Sequence, residues 1–187
     1  MLPPQDHVFL FGASAWQLPG WREILAPAVI LAVESYPIEC SSSDDLCWHC
    51  RDCFQPWKDL VVPPVTPLAQ VKRLLANSRP VGDRTIVMAW HGQHANSSDA
   101  DVRRAYRVTN ETVRLSLLEL AGLPNVSLGG PVPSYAAIMG NSHFCLCPKG
   151  ASSYTSRVFE ALFSGCVPVI LSDDLRFPFS AARRGGE

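Results

Sequence analysis

No run in this chain reaches the about 18 to 20 consecutive apolar residues that a membrane-spanning helix requires. The nearest, Ile24 to Val33, is much shorter and carries Pro27. The opening MLPPQDH has neither the basic nor the apolar segment of a secretory signal. Charge of one sign is equally scarce. The formal net charge is −1 and no long basic run occurs, which argues against nucleic acid as a partner, because displacing counterions from phosphates needs concentrated Lys and Arg. Internal repeats and low-complexity segments are absent. A second zinc knuckle is missing too: Cys47, His49, Cys50 and Cys53 cluster, yet no matching Cys or His pair lies at an ordinary distance. No metal site is therefore expected. A disulfide knot in an oxidising lumen is the expectation for this cluster, with reduced thiols and a zinc-stabilised interaction module as its rivals.

What is present is ample apolar content, 47% of 187 residues, enough for one large packed domain or parts of two. The seven cysteines also include Cys145, Cys147 and Cys166. Three N-glycosylation sequons, at Asn96, Asn110 and Asn125, are consistent with a luminal compartment.

In chain order, His7 to Gly12 reads as a short buried strand, and Trp21 to Val33 as a helix, or a helix and a strand, broken near Pro27. Leu60 to Val62 lies among prolines and reads as extended. Residues 67–76 suit a short helix, and 77–83, with Pro80 and Gly82, a linker. The domains are accordingly placed at 1–77 and 84–187. Arg84 to Trp90 is a buried strand, Asp99 to Ala121 one helix or two, Val126 to Leu128 a strand and Ser134 to Gly140 a helix. The basic face of Arg103, Arg104, Arg107 and Arg114 is read as solvated.

Local signals agree best between Asn141 and Phe179. Phe144 to Cys147 forms an apolar strand closed by Pro148 and Gly150. A hydroxyl-rich loop follows, then a helix with Val158, Phe159, Leu162 and Phe163 as its apolar face, stopped by Gly165. Cys166 to Leu171 is a strand with the near-continuous apolar pattern of a parallel sheet. In a β-loop-α-β unit of this kind the ligand sits beyond the carboxyl end of the strand, where helix N–H groups favour anions. Gly150, Ser152, Ser153 and Ser156 supply close approach and hydroxyls, and Arg157 a planar phosphate-binding fork. Glu160, one turn deeper, suits paired sugar hydroxyls. The competing reading makes Arg157 and Glu160 an ordinary surface pair.

These residues carry a family resemblance. Gly150, Thr155-Ser156-Arg157-Val158-Phe159-Glu160-Ala161, Gly165-Cys166-Val167-Pro168-Val169 and Pro178-Phe179 closely resemble the exostosin glycosyltransferases in their plant and algal branch. Weaker echoes lie at Asp6-His7-Val8-Phe9, Trp57-Lys58-Asp59-Leu60-Val61-Val62-Pro63-Pro64 and Arg84-Thr85-Ile86-Val87.

The resemblance implies an α/β protein of GT-B type, with a doubly wound parallel-sheet nucleotide-sugar domain preceded by part of a second α/β domain. It implies sugar transfer from a nucleotide sugar, expected to be UDP-linked, to a glycan acceptor, without a further cofactor. The alternative is an inactive nucleotide- or carbohydrate-binding fragment. Members of the family it resembles are usually Golgi type II membrane proteins, so the resemblance implies the Golgi lumen. The membrane would be reached only through an anchor that this sequence does not carry, and the chain is expected to be a fragment. Asp99-Ala-Asp101 has metal-binding spacing but falls at an expected helix start, where acids are ordinary. Asp6, His7 and His91 are candidates for the base that a transferase needs near its acceptor hydroxyl. His94 stands near them, but a histidine at a strand end is more often simply hydrogen-bonded there.

Overall fold

The structure is a computed structural model and describes residues 7–11, 25, 27–33, 58–103, 112–150, 154–173 and 175–180. The cysteine cluster, Asp6, Ser152, Ser153, Arg104, Arg107 and Asn110 lie outside the described residues. The chain divides into two compact units: Met1–Val65 with Ser152–Tyr154 and Asp174–Glu187, and Thr66–Ala151 with Thr155–Asp173.

The first unit contains a three-stranded parallel sheet, β1 (Val8–Phe11), β2 (Val29–Ala32) and β3 (Leu60–Val61), in that order. Its core is Ala28, Ile30 and Ala32, with Phe9, Phe11 and Leu25 against them. The Lys58-Asp59 pair has a structural use here. The Asp59 carboxylate accepts the Ile30 N–H at 3.0 Å, and Lys58 neutralises it at 2.7 Å, so a buried acid is both paired and hydrogen-bonded.

The second unit is built on β4 (Ile86–His91), β5 (Val126–Gly129), β6 (Ser142–Pro148) and β7 (Val167–Leu171). All pairings are parallel, in the spatial order β5-β4-β6-β7. The chain starts in the middle, steps to one edge, then crosses back, which sets a topological switch point between β4 and β6. Helices among the described residues that accompany the sheet include α1 (Leu68–Asn77), α2 (Val113–Leu118), α3 (Tyr135–Gly140) and α4 (Arg157–Phe163). Leu117 of α2 packs with Trp90, Leu128 and Leu146 on one face of the sheet. On the other face α1 packs against α3 and α4. The α/β character and the doubly wound parallel order are thus present.

Although the sequence pattern attaches α1 to what precedes it, the helix is bound to the second sheet's helices. A Cβ at Gly140 would fall 2.0 Å from the Asn77 carbonyl oxygen, so the ends of α1 and α3 meet backbone to backbone. Leu74 is fully buried, and Ser78 Oγ donates to Ser164 O at 2.9 Å.

Gly165 ends α4 as expected, with φ +63°. The Gly165 N–H reaches Leu162 O and the Cys166 N–H reaches Ala161 O, the two bonds of a Schellman cap. A disulfide then joins Cys166 to Cys145 on β6.

Three expectations need correction. The strand expected to be buried at the start of the chain, β1, leaves Val8 and Leu10 exposed. The buried stripe of α4 is Val158, Glu160 and Ala161, while Leu162 is exposed. The carboxylate turns inward because partners await it there. Arg114 is not on a solvated face. It is buried, and its guanidinium donates to the carbonyls of Lys149 (2.7 Å), Gln93 (2.8 Å) and Pro148 while lying over the Trp90 ring. Those carbonyls terminate β4 and β6, where backbone acceptors run out of strand partners.

Candidate functional site

The candidate site occupies the carboxyl ends of β4 and β6, beside the switch point. Arg157 opens α4 and crosses to β4, where Nη2 donates to His91 O at 2.8 Å. Nη1 donates to Glu160 Oε2 at 2.7 Å. The guanidinium lies 4.6 Å from the centroid of the Tyr135 ring, a cation–π distance. The Arg157 side chain is 23% exposed and that of Glu160 9%, so the pair is not an open surface bridge. One charged group is sheltered and the other keeps a window to solvent.

Glu160 is held from a second direction. Gln70, on α1, donates Nε2 to Glu160 Oε1 at 2.7 Å and to Tyr135 Oη at 3.0 Å. Arg73, one turn further along α1, lies 5.0 Å from the same ring. A shallow, mostly apolar recess beneath this network is lined by Ala89, Tyr135, Ile138, Met139, Cys145 and Arg157.

The expected hydroxyls are placed unequally. Ser156 stands at the N-cap position of α4 but makes no side-chain cap bond. The buried Thr155, one residue earlier, accepts the Arg157 N–H at 3.4 Å. Gly150 lies half-buried just past β6. His91 is engaged at both ring nitrogens, Nδ1 with Gly130 O and Nε2 with Ser127 Oγ, each at 3.0 Å, and so ties β4 to β5. His7 belongs to β1's end of the first unit, exposed and stacked on Phe9. Asp99 accepts the N–H groups of Asp101 and Val102, which makes it a helix cap rather than half of a metal pair. No group of three or more potential metal ligands occurs among the described residues.

Below the site, Cys147 is a buried free thiol. Burial pushes its pKa up to about 12 from the ordinary 9.0, outweighing the nearby Arg157 charge that acts in the opposite sense. A thiol held neutral in this way is structural rather than nucleophilic.

Gln70, Arg73 and Tyr135 were not legible as site residues. Their only sequence signal is position, Tyr135 opening α3 and Gln70 lying on the inner face of α1.

The family model of the exostosin GT47 domain matches residues 5–184. A probable glycosyltransferase of Arabidopsis thaliana is 49% identical over 198 aligned positions, covering 94% of this chain and 34% of that protein. A probable glucuronosyltransferase of Oryza sativa subsp. japonica is 32% identical over 125 positions, covering 66% of this chain and 29% of its own length. The chain thus spans about a third of the length of these two relatives, 34% and 29%.

Proposed function

The chain belongs to the exostosin GT47 family, and from that premise we propose that it supplies the nucleotide-sugar site of a glycosyltransferase. The reaction moves a sugar from a UDP-linked donor to a glycan acceptor. The compartment is the Golgi lumen, a reading supported by the Cys145–Cys166 disulfide and the sequons.

The observation that carries this reading is the seat of Arg157 and Glu160 at the carboxyl ends of β4 and β6, with Arg157 anchored on His91 O. When the sugar is transferred, the nucleoside diphosphate departs with growing negative charge. A fixed guanidinium in a partly desolvated site stabilises that charge without having to reorganise. Glu160 keeps lone pairs beyond those used by Gln70 and Arg157, and these suit the paired hydroxyls of a ribose. Arg157 supplies the positive charge in this scheme, so no divalent ion is required, and turnover should survive chelation by EDTA.

Calorimetric titration with UDP, uridine and pyrophosphate tests the assignment. Arg157→Lys keeps the charge and loses the fork, so UDP and pyrophosphate should both bind more weakly. Glu160→Gln should weaken UDP and uridine and spare pyrophosphate. Unchanged affinities in both variants would overturn the donor-site reading.

A further inference from the structure

Guanidinium and carboxylate groups favour a bidentate, fork-to-fork pair. The Arg157–Glu160 pair is instead joined through a single bond, Nη1 to Oε2. The reason lies on α1: Glu160 Oε1 is occupied at 2.7 Å by Gln70 Nε2. The amide orientation is dictated, because an ionised carboxylate only accepts and Gln70 must present its NH2 to it. Gln70 is fixed in turn by Tyr135 Oη, and the Tyr135 ring lies against Arg157. Three helices therefore close a loop of contacts, Gln70–Glu160–Arg157–Tyr135–Gln70.

We propose that Gln70 is a positioning residue for the donor site. By drawing Glu160 Oε1 aside, it keeps the ion pair monodentate and leaves guanidinium donors of Arg157 for the pyrophosphate. Without it, Glu160 Oε1 can turn onto the guanidinium, and collapse to the bidentate pair, opposed by the His91 carbonyl and the Tyr135 ring, would withdraw Arg157 and Glu160 together. This inference rests on the donor-site reading above.

The test uses Gln70→Met and Gln70→Glu, with UDP and pyrophosphate as probes. Q70M should bind both about tenfold more weakly, the effect of roughly one charge-assisted hydrogen bond. Q70E carries a readout that a merely structural role would not move. At pH 5 its introduced carboxyl can keep a proton and donate to Glu160 as the amide does. At pH 8 two carboxylates face each other and Glu160 is driven onto Arg157. The ratio of Q70E to wild-type UDP affinity should fall about tenfold between these pH values. Using the ratio cancels the titration of UDP itself. Should Q70M fail to fold, Q70E at pH 5 retains the native contact and carries the test alone.

A flat ratio, or Q70M affinities equal to wild type, would overturn the positioning role while leaving the donor site intact, provided that R157K and E160Q still weaken binding. If R157K and E160Q have no effect either, the donor-site reading itself has failed, and the role assigned to Gln70 goes with it.

Discussion

At its carboxyl end, α4 meets Arg84, whose buried guanidinium donates to the carbonyls of Arg79 (3.0 Å), Ser142 (2.8 Å), Gly165 (2.6 Å) and Ser164 (3.4 Å). No carboxylate among the described residues pairs with it. At its amino end the same helix begins with Arg157, which has one carbonyl, one carboxylate and one aromatic ring, and retains partial exposure. Arg84 is held by four bonds to fixed backbone, and its charge sits at the negative end of the helix dipole. Arg157 is held firmly enough to be oriented but is not enclosed. One end of α4 is therefore closed around Arg84 for stability, and the other is left open around Arg157.

Breaking the closed end should have the largest effect. Arg84→Met leaves several buried carbonyls without donors and should cost about 3 to 5 kcal/mol, read as loss of cooperative unfolding or a steep fall in the urea midpoint. Removing the Cys145–Cys166 bond as a paired Cys→Ala variant should cost about 3 kcal/mol, since it restores loop entropy to the unfolded chain. Gly140→Ala, whose new Cβ meets backbone rather than a movable side chain, should cost about 2 to 3 kcal/mol by thermal unfolding.

At the open end the sign of the comparison reverses. Arg157→Lys should leave unfolding nearly unchanged and weaken UDP binding by about 1.5 to 3 kcal/mol. An R157K variant that lost stability as R84M does would erase the distinction between the two ends. The smallest effect at neutral pH belongs to Cys147, which should resist thiol reagents until the chain unfolds. Its folded pKa is raised, so the stability that it contributes is complete below about 9 and is lost as pH rises toward about 12. Cys147→Ala should flatten that alkaline slope in chemical unfolding measured between pH 8 and 11.

Strands and helix positions were readable because they are local. The Phe144–Cys147 run, the Gly165 stop and Cys166–Leu171 each carry their own apolar pattern or turn residue. The start of β6 was missed because Ser142 is polar, yet it is fully buried with Oγ donating to Ile138 O. Arg84 and Arg114 were hidden for a related reason. Arg114 was read as solvated and Arg84 as the start of a strand, and the carbonyls that satisfy these two come from segments up to 81 positions away. The pairing of Glu160 with Gln70 spans 90 residues, and no periodicity or motif spacing encodes a contact of that range. The placement of Arg157 and Glu160 at the start of α4 was legible because a helix that follows a glycine-bearing loop has a fixed relation to the strand before it.

The backbone contact between Asn77 and Gly140 has a practical bearing on dissecting this chain. A shortened piece beginning at Arg84 would look natural from composition, since 77–83 carries the proline and glycine of a linker. It would strip away Leu74, Gln70 and the helix end against which α3 is seated, leaving an apolar scar on the retained half. A piece beginning at Thr66 keeps all three, so a screen of expression boundaries should find its soluble variants starting before α1 rather than after it.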